Sequence, residues 1–197
     1  MKCASCTKKD CFNGKDCLEN REEIKELYHD GEIDLLRASS AIEARYYMEK
    51  TRIEEVILFS KEIDYKKIGM AFCVGLEQEA RQIQNLFKKH FKVHSVCCKV
   101  CGIDKTDFEL EQIDKNSYES MCNPLGQASI LNEKNTDLNI IIGLCIGHDL
   151  LFTRHSEAPV TTLVVKDRVL AHNPLGAVYS KYYQNKLVDG WSDNQDP

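Results

Sequence analysis

Four cysteines, Cys3, Cys6, Cys11 and Cys17, fall within the first seventeen residues of the chain. Thiolates are soft ligands, and four so close in sequence can surround one tetrahedral metal ion without help from the rest of a fold. Cys3 and Cys6 supply a tight chelating pair, and the turn residues Asn13 and Gly14 bring Cys17 back toward it. The spacing is similar to that of a zinc knuckle with cysteine in place of the usual histidine, so zinc is the expected cofactor. A 4Fe-4S cluster is the alternative, because it takes the same four thiolates. Free surface thiols are the poorer reading, since exposed cysteine is a liability.

No cysteine follows until Cys73; then come Cys97, Cys98, Cys101, Cys122 and Cys145. Their chemistry depends on the elements that carry them. Ile68 to Val74 is a short apolar run ending at Gly75, which predicts a strand. Leu76 to Phe91 repeats apolar residues at helical spacing (Leu76, Ala80, Ile83, Phe87), with Glu77 and Glu79 in its first turn and Lys88, Lys89 and His90 in its last. Lys92 to Cys97 is the next strand, completing a βαβ unit with a right-handed crossover. Asn123 and Pro124 are suited to cap and start a helix reaching Glu133. Leu138 to Leu144, with Ile140, Ile141 and Ile142 in a row, reads as a strand buried on both faces. A short helix is expected over 149–153. Val160 to Val165 and Val169 to Ala171 flank Lys166-Asp167-Arg168 and predict a hairpin at one edge. A last helix, capped by Asn173, runs from Pro174 to about Asn185.

Ahead of this domain the pattern is helical. Ile24, Leu27 and Tyr28 share one face of a helix that Gly31 terminates. Leu35, Ala38, Ile42 and Tyr46 mark a second helix, and Ile53, Val56, Ile57 and Ser60 a third. The fold class is therefore α/β: a mostly parallel sheet of four to five strands with an edge hairpin, flanked by helices, plus a small N-terminal four-cysteine knuckle. Residues 1–17 form the knuckle, 18–66 a helical segment packed on the main domain, 67–188 the α/β domain and 189–197 a polar tail.

In a parallel sheet all strand C-termini lie on one edge, where α/β proteins place their sites. Cys73, Cys97, Cys98 and Cys145 end strands, Cys101 follows on a loop, and Cys122 precedes a helix cap, so residues scattered in sequence converge there. Cys98 and Cys101 are the natural chelating pair, with Cys122 and Cys145 completing a second set of four. His148 and His172 line the rim as alternates or supporting donors. Helix N-termini at that edge stabilise thiolates, and Gly75, Gly102, Gly126, Gly147 and Gly176 leave room for an anion or small ligand. Two counter-readings apply. Cys73 inside an apolar strand is commonly a small buried hydrophobe, and one of Cys97 and Cys98 must face away from the other. A Cys-x-x-Cys is also a redox motif, but Gly102 and Asp104-Lys105-Thr106-Asp107 do not continue it as an apolar helix, so redox use of Cys98 and Cys101 ranks below metal binding.

The pentapeptide Cys122-Asn123-Pro124-Leu125-Gly126 returns as His172-Asn173-Pro174-Leu175-Gly176, which the helix-starting power of Asn-Pro largely explains. No Gly-x-Gly-x-x-Gly, phosphate loop, His-Glu-x-x-His or nucleophile elbow is present, and Cys145, His148 and Asp149 are too close in sequence for a catalytic triad. Composition excludes other classes. With 43% hydrophobic and 29% charged residues the chain is globular. A net charge of −5 argues against nucleic acid as a partner. The longest apolar run, Leu138 to Gly147, is too short to span a bilayer, and Met1-Lys2-Cys3-Ala4-Ser5-Cys6 lacks the apolar core of a signal peptide. A cytoplasmic setting is expected, where cysteines serve as ligands or redox thiols.

Four strings carry a resemblance that covers nearly the whole chain: Ser95-Val96-Cys97-Cys98-Lys99-Val100-Cys101-Gly102, Met121-Cys122-Asn123-Pro124-Leu125-Gly126-Gln127-Ala128, Gly143-Leu144-Cys145-Ile146-Gly147-His148-Asp149, and the stretch from Ala158 to Pro174. Together they resemble a cysteine-rich family of anaerobic bacteria and archaea that carries a domain of unknown function and is described only as metal-binding. The resemblance implies a metal-binding role and a setting that favours iron–sulfur chemistry, and supplies no catalytic residue. The expected function is metal binding, structural or regulatory, with an iron–sulfur or thiol redox role as the alternative. The expected partners are a metal ion and a small ligand or protein.

Overall fold

A computed structural model describes residues 1–189, in two units that divide between Glu49 and Lys50. The polar tail expected from Asp189 lies outside the described residues beyond that position.

The first unit begins with two single turns of 3-10 helix, Cys3–Ser5 and Asp10–Asn13, the second closed by Gly14 at φ +86°. Helix α1, Arg21–Lys25, is entered through Asp16, whose carboxylate accepts the backbone N–H groups of Arg21 at 2.9 Å and Leu18 at 3.2 Å. Helix α2, Asp30–Tyr46, buries Ala38 and Ile42. Gly31 does not end the preceding helix; it lies inside α2. The reason is a capping box in which the Glu32 carboxylate accepts from the His29 backbone N–H at 3.1 Å and starts the helix at Asp30.

The second unit starts with α3, Arg52–Glu62, where Thr51 and Glu54 form a second capping box. Its strands are β1, Lys67–Phe72, β2, Lys92–Cys97, β3, Leu138–Ile142, and β4, Val160–Val164. They pair in the order β2-β1-β3-β4, all parallel. Helix α4, Glu77–Phe87, joins β1 to β2. Helix α5, Pro124–Glu133, joins β2 to β3, and α6, His148–His155, joins β3 to β4.

The first crossover moves one way along the sheet and the next two move the other way. Crossovers of one hand then put their helices on opposite faces. The packing agrees. Val56 of α3 and Ala80, Ile83 and Phe87 of α4 pack on Ile68, Met70, Ile140 and Ile142, whereas Ala128 and Leu131 of α5 and Phe152 of α6 pack on Ala71, Val96 and Ile141. Alternate strand residues feed the two layers, as the two-residue period of a strand requires. Strand β3 is buried along its whole length. Among the described residues, no helix is long and apolar enough to cross a membrane.

Two expected elements differ. The strand over 169–171 is absent, so there is no edge hairpin: Asp167 Oδ1 accepts the N–H groups of Val169 at 2.9 Å and Leu170 at 2.8 Å, and this side-chain turn takes up the donors a strand would offer its neighbour. The last helix is two helices, α7, Leu175–Tyr179, and α8, Lys181–Asp189, separated by extended Ser180. Asn173 does not cap α7 through its side chain, because His172 sits in the left-handed region at φ +63° and turns the chain before the helix begins.

Close approach explains one glycine in the sheet. Gly69 pairs with Asn139, which is fully buried and holds Thr136 Oγ1 at 2.8 Å and Ser156 Oγ at 2.7 Å. A Cβ on Gly69 would stand 1.9 Å from Asn139 Oδ1. Gly69→Ala is expected to cost about 1–3 kcal/mol through overpacking of this fixed amide, measured as a lowered urea midpoint with an unchanged slope.

Candidate thiol site at the carboxyl edge

The ladder of the sheet continues past the strands and fixes what lies at their ends. Cys73 N–H donates to Ile142 O at 3.1 Å, Cys98 N–H to Phe72 O at 2.8 Å, and Gly143 N–H to Val164 O at 2.8 Å. Because β1→β2 and β2→β3 run in opposite directions along the sheet, the chain diverges between β1 and β3, the place where open α/β sheets bind ligands. Cys73 follows β1 at that point, Cys98 follows the edge strand β2 on the other side of β1, and both are buried.

Cys122 arrives by a long excursion. After β2 the chain leaves the edge and comes back on itself: Asp104 bridges Ser120, Lys105 N–H donates to Glu119 O at 3.0 Å, and Met121 N–H to Ile103 O at 2.8 Å. Lys105 Nζ also pairs with Glu119 at 2.8 Å. The loop closes where Asn123 N–H donates to Cys98 O at 2.8 Å. Asn123 Oδ1 then accepts from Gly126 N–H at 2.8 Å and caps α5, while its Nδ2 donates to Val100 O at 3.2 Å. Gln127, fully buried one turn on, donates to Val96 O at 2.7 Å and Phe72 O at 3.3 Å, tying α5 to the ends of β1 and β2.

These constraints bring the Cys98 thiol into a hydrogen bond with the Cys122 sulfur. The Cys122 thiol is held down to about 5, first by that hydrogen bond and then, against the opposing effect of burial, by the Lys99 ammonium and by His148. Cys98 is pushed up by the same bond, by burial and by the neighbouring Cys122 and Cys73, despite a Val74 N–H donated to its sulfur at 3.3 Å. The proton therefore rests on Cys98 and the negative charge on Cys122. Lys99 Nζ is steadied by Ser120 O at 2.5 Å.

The remaining residues singled out from the sequence are placed as follows. Cys97 is half-buried and pairs in register with Phe72. Cys101 is exposed in a turn at φ +69°. Cys145 is half-buried and accepts from Arg168 Nη2 at 3.0 Å. His148 opens α6, its N–H bonded to Cys145 O at 3.0 Å. His172 Nδ1 accepts from Asp167 N–H at 3.2 Å and serves its own turn. Cys3, Cys6, Cys11 and Cys17 are exposed in the first unit, with Lys9 N–H donating to Cys6 Sγ at 3.5 Å. Among the described residues, no group of three or more His, Cys, Asp or Glu side chains is gathered to hold a metal ion.

Sequence reasoning missed Lys99, Gln127, Lys166 and Arg168. Lys99 has a signal, being next to Cys98; the sequence pattern of Lys166 and Arg168 reads as a hairpin turn. It also missed Gly143, at φ +67°, where a Cβ would stand 2.1 Å from Leu76 Cδ1. A cleft of about 510 Å³ lined by Leu125, Ser129, Asn132, Glu133, His155 and Glu157 lies along α5 and α6 and contains none of the cysteines.

Residues 13–163 match the family model described as "Protein of unknown function (DUF1847)". An uncharacterized protein of Methanocaldococcus jannaschii is 56% identical over 192 residues, spanning 96% of this chain and 100% of that protein. No solved structure matches.

The thiolate is the nucleophile, so alkylation reports the charge state directly. The alkylation rate of Cys122 by iodoacetamide, followed by peptide mapping, is expected to be flat above about pH 6 and to fall with a midpoint of about 5. Lys99→Gln and Cys98→Ala should each move that midpoint upward, because each removes a group that favours the charged form. A rate that climbs steadily toward alkaline pH in the unaltered protein would contradict the assignment.

Proposed function

The chain belongs to that family of unknown function, whose description assigns it no chemistry, and from its own geometry we propose that the α/β unit is a dithiol redox centre working through Cys122 and Cys98, while the N-terminal unit binds a soft metal ion. The observation that carries the first part is the Cys98 thiol bonded to the Cys122 sulfur beside Lys99 and His148. One sulfur is charged and half-exposed, and the other is protonated and buried, which is the division of labour that thiol–disulfide exchange needs. Cys122 attacks a disulfide and releases one thiolate. The Cys98 proton passes to that leaving sulfur, and Cys98 then attacks Cys122, releasing the second thiolate. One disulfide is reduced and the Cys98–Cys122 disulfide forms.

This pairing departs from the Cys98–Cys101 pair that sequence spacing suggests. The turn at Cys101 leaves its side chain exposed, whereas the Asn123–Cys98 clamp brings Cys122 in. Because Lys99 and His148 stabilise the reduced, charged form, the disulfide is readily reduced.

The second part rests on the donor set: four exposed thiols within fifteen residues, on two short turns. Four thiolates suit zinc, and a 4Fe-4S cluster equally in ligand type. Loading would draw the four sulfurs together and order the segment, since metal binding and local folding are coupled.

In glutathione redox buffers the full-length protein is expected to form a Cys98–Cys122 disulfide, identified by peptide mapping, at a potential above the roughly −300 mV of structural disulfides. A Cys98–Cys101 disulfide, or none involving Cys122, would refute the redox reading. Replacing Cys3, Cys6, Cys11 and Cys17 together with Ser should abolish the metal found by elemental analysis in anaerobically purified protein. Colourless loaded protein indicates zinc and brown protein a cluster, whereas unchanged metal content in the variant would refute the metal site.

A further inference from the structure

The carboxyl edge holds more positive charge than its thiolate needs. Lys166 reaches across it: its Nζ lies 3.5 Å, and Cys73 Sγ 3.9 Å, from where a Cβ on Gly75 would stand, and its Cδ lies 3.7 Å from the corresponding point on Gly143. Arg168 donates to Cys145 Sγ at 3.0 Å, and Lys99 and His148 bear on Cys122. Among the described residues no carboxylate forms an ion pair with Lys99, Lys166 or Arg168. Glu119, paired with Lys105 at 2.8 Å, is the carboxylate that also faces Lys99; the acidic groups nearest Lys166 and Arg168 in the chain are engaged elsewhere. Asp167 Oδ1 accepts from Val169 and Leu170, Asp149 from Leu150 N–H at 2.8 Å, and Glu77 pairs with Arg81.

Lys99 on one segment and Lys166 and Arg168 on another thus lie beside sulfurs at the carboxyl edge. Holding Lys166 and Arg168 at this edge with no carboxylate paired to either costs energy that an anionic ligand returns. The glycine at 75 and the glycine at 143 keep the backbone beside the Lys166 side chain free of side chains.

We propose that the disulfide which exchanges with Cys122 is an anionic small molecule, its carboxylate or comparable acidic groups held by Lys166 and Arg168 while its sulfur meets Cys122. This inference rests on the redox reading above and names the substrate class for it. The step balances as one anionic disulfide plus the Cys98 thiol and Cys122 thiolate giving the Cys98–Cys122 disulfide, one released thiol and one released thiolate. Two electrons pass from the protein sulfurs to the small molecule, and the Cys98 proton goes to a leaving sulfur. Attraction to the cations raises the encounter rate and orients the sulfur–sulfur bond.

The test compares dithiodiglycolate, a dicarboxylate disulfide, with cystamine, a dicationic one, on the reduced full-length protein. The readout is the rate of Cys98–Cys122 disulfide formation by quenched peptide mapping, each rate divided by that of the same reagent with a simple free thiol. The normalised preference for dithiodiglycolate is expected to be about tenfold or more at low salt. It should fall toward unity in Lys166→Gln/Arg168→Gln and, with no substitution, at high salt. Formation of the disulfide at equal normalised rates, or faster with cystamine, would overturn the anionic assignment and leave the redox reading standing. Failure of both reagents to form the Cys98–Cys122 disulfide would overturn both readings.

Discussion

The hydrogen bond from Asn123 N–H to Cys98 O is the constraint on which the site depends. It closes an excursion of some two dozen residues and joins the end of β2 to the start of α5, so that two cysteines far apart in sequence share a proton. Everything around it is arranged to keep that junction in place. The parallel ladder fixes Cys98 against Phe72 O, the Asn123 side chain both caps α5 and holds Val100, and Gln127 binds the Phe72 and Val96 carbonyls near the ends of β1 and β2. An amide buried at such a junction leaves costly groups unpaired if removed, so the clamp specifies position as well as adding stability.

Charge separation follows from that placement. Two thiols in contact cannot both ionise cheaply, and the asymmetry of their surroundings decides which does. Cys98 is walled in by the apolar layer containing Ala71, Val96 and Leu144, while Cys122 faces Lys99 and His148. The lysine is held by Ser120 O, on the returning limb of the same excursion, so the loop that delivers Cys122 also aligns the cation that charges it. The polar site is thus a consequence of the sheet's topology and one long connection.

The strands and the helices that cross between them were legible in the sequence because their signals are local. The run Ile140-Ile141-Ile142 marks a buried strand, Lys92 to Cys97 is the observed β2, and Asn-Pro starts α5 at Pro124 as expected. The parallel order led to the expectation that Cys98, Cys101, Cys122 and Cys145 come together at one edge; the structure brings Cys122 to Cys98 but leaves Cys101 exposed and Cys145 on Arg168. Pairing was not legible. Whether Cys98 meets Cys101 or Cys122 depends on a positive φ at residue 101 and on backbone bonds between segments twenty residues apart, and no periodicity encodes either. The same limit misassigned Lys166-Asp167-Arg168, whose cations serve the edge while Asp167 folds the following turn. Gly31 misled for a related reason: a capping box at His29 and Glu32 outweighed the usual meaning of glycine after a helix.

The central claim is that Cys122 is a thiolate at neutral pH while Cys98 keeps its proton. Ultraviolet thiolate absorbance of the reduced, metal-free protein, compared at neutral pH with that of Cys122→Ser and Cys98→Ser, tests it most directly. The account predicts that Cys122→Ser removes the absorbance of one thiolate, and that Cys98→Ser keeps the thiolate at 122. Equal absorbance in Cys122→Ser and the unaltered protein would contradict it.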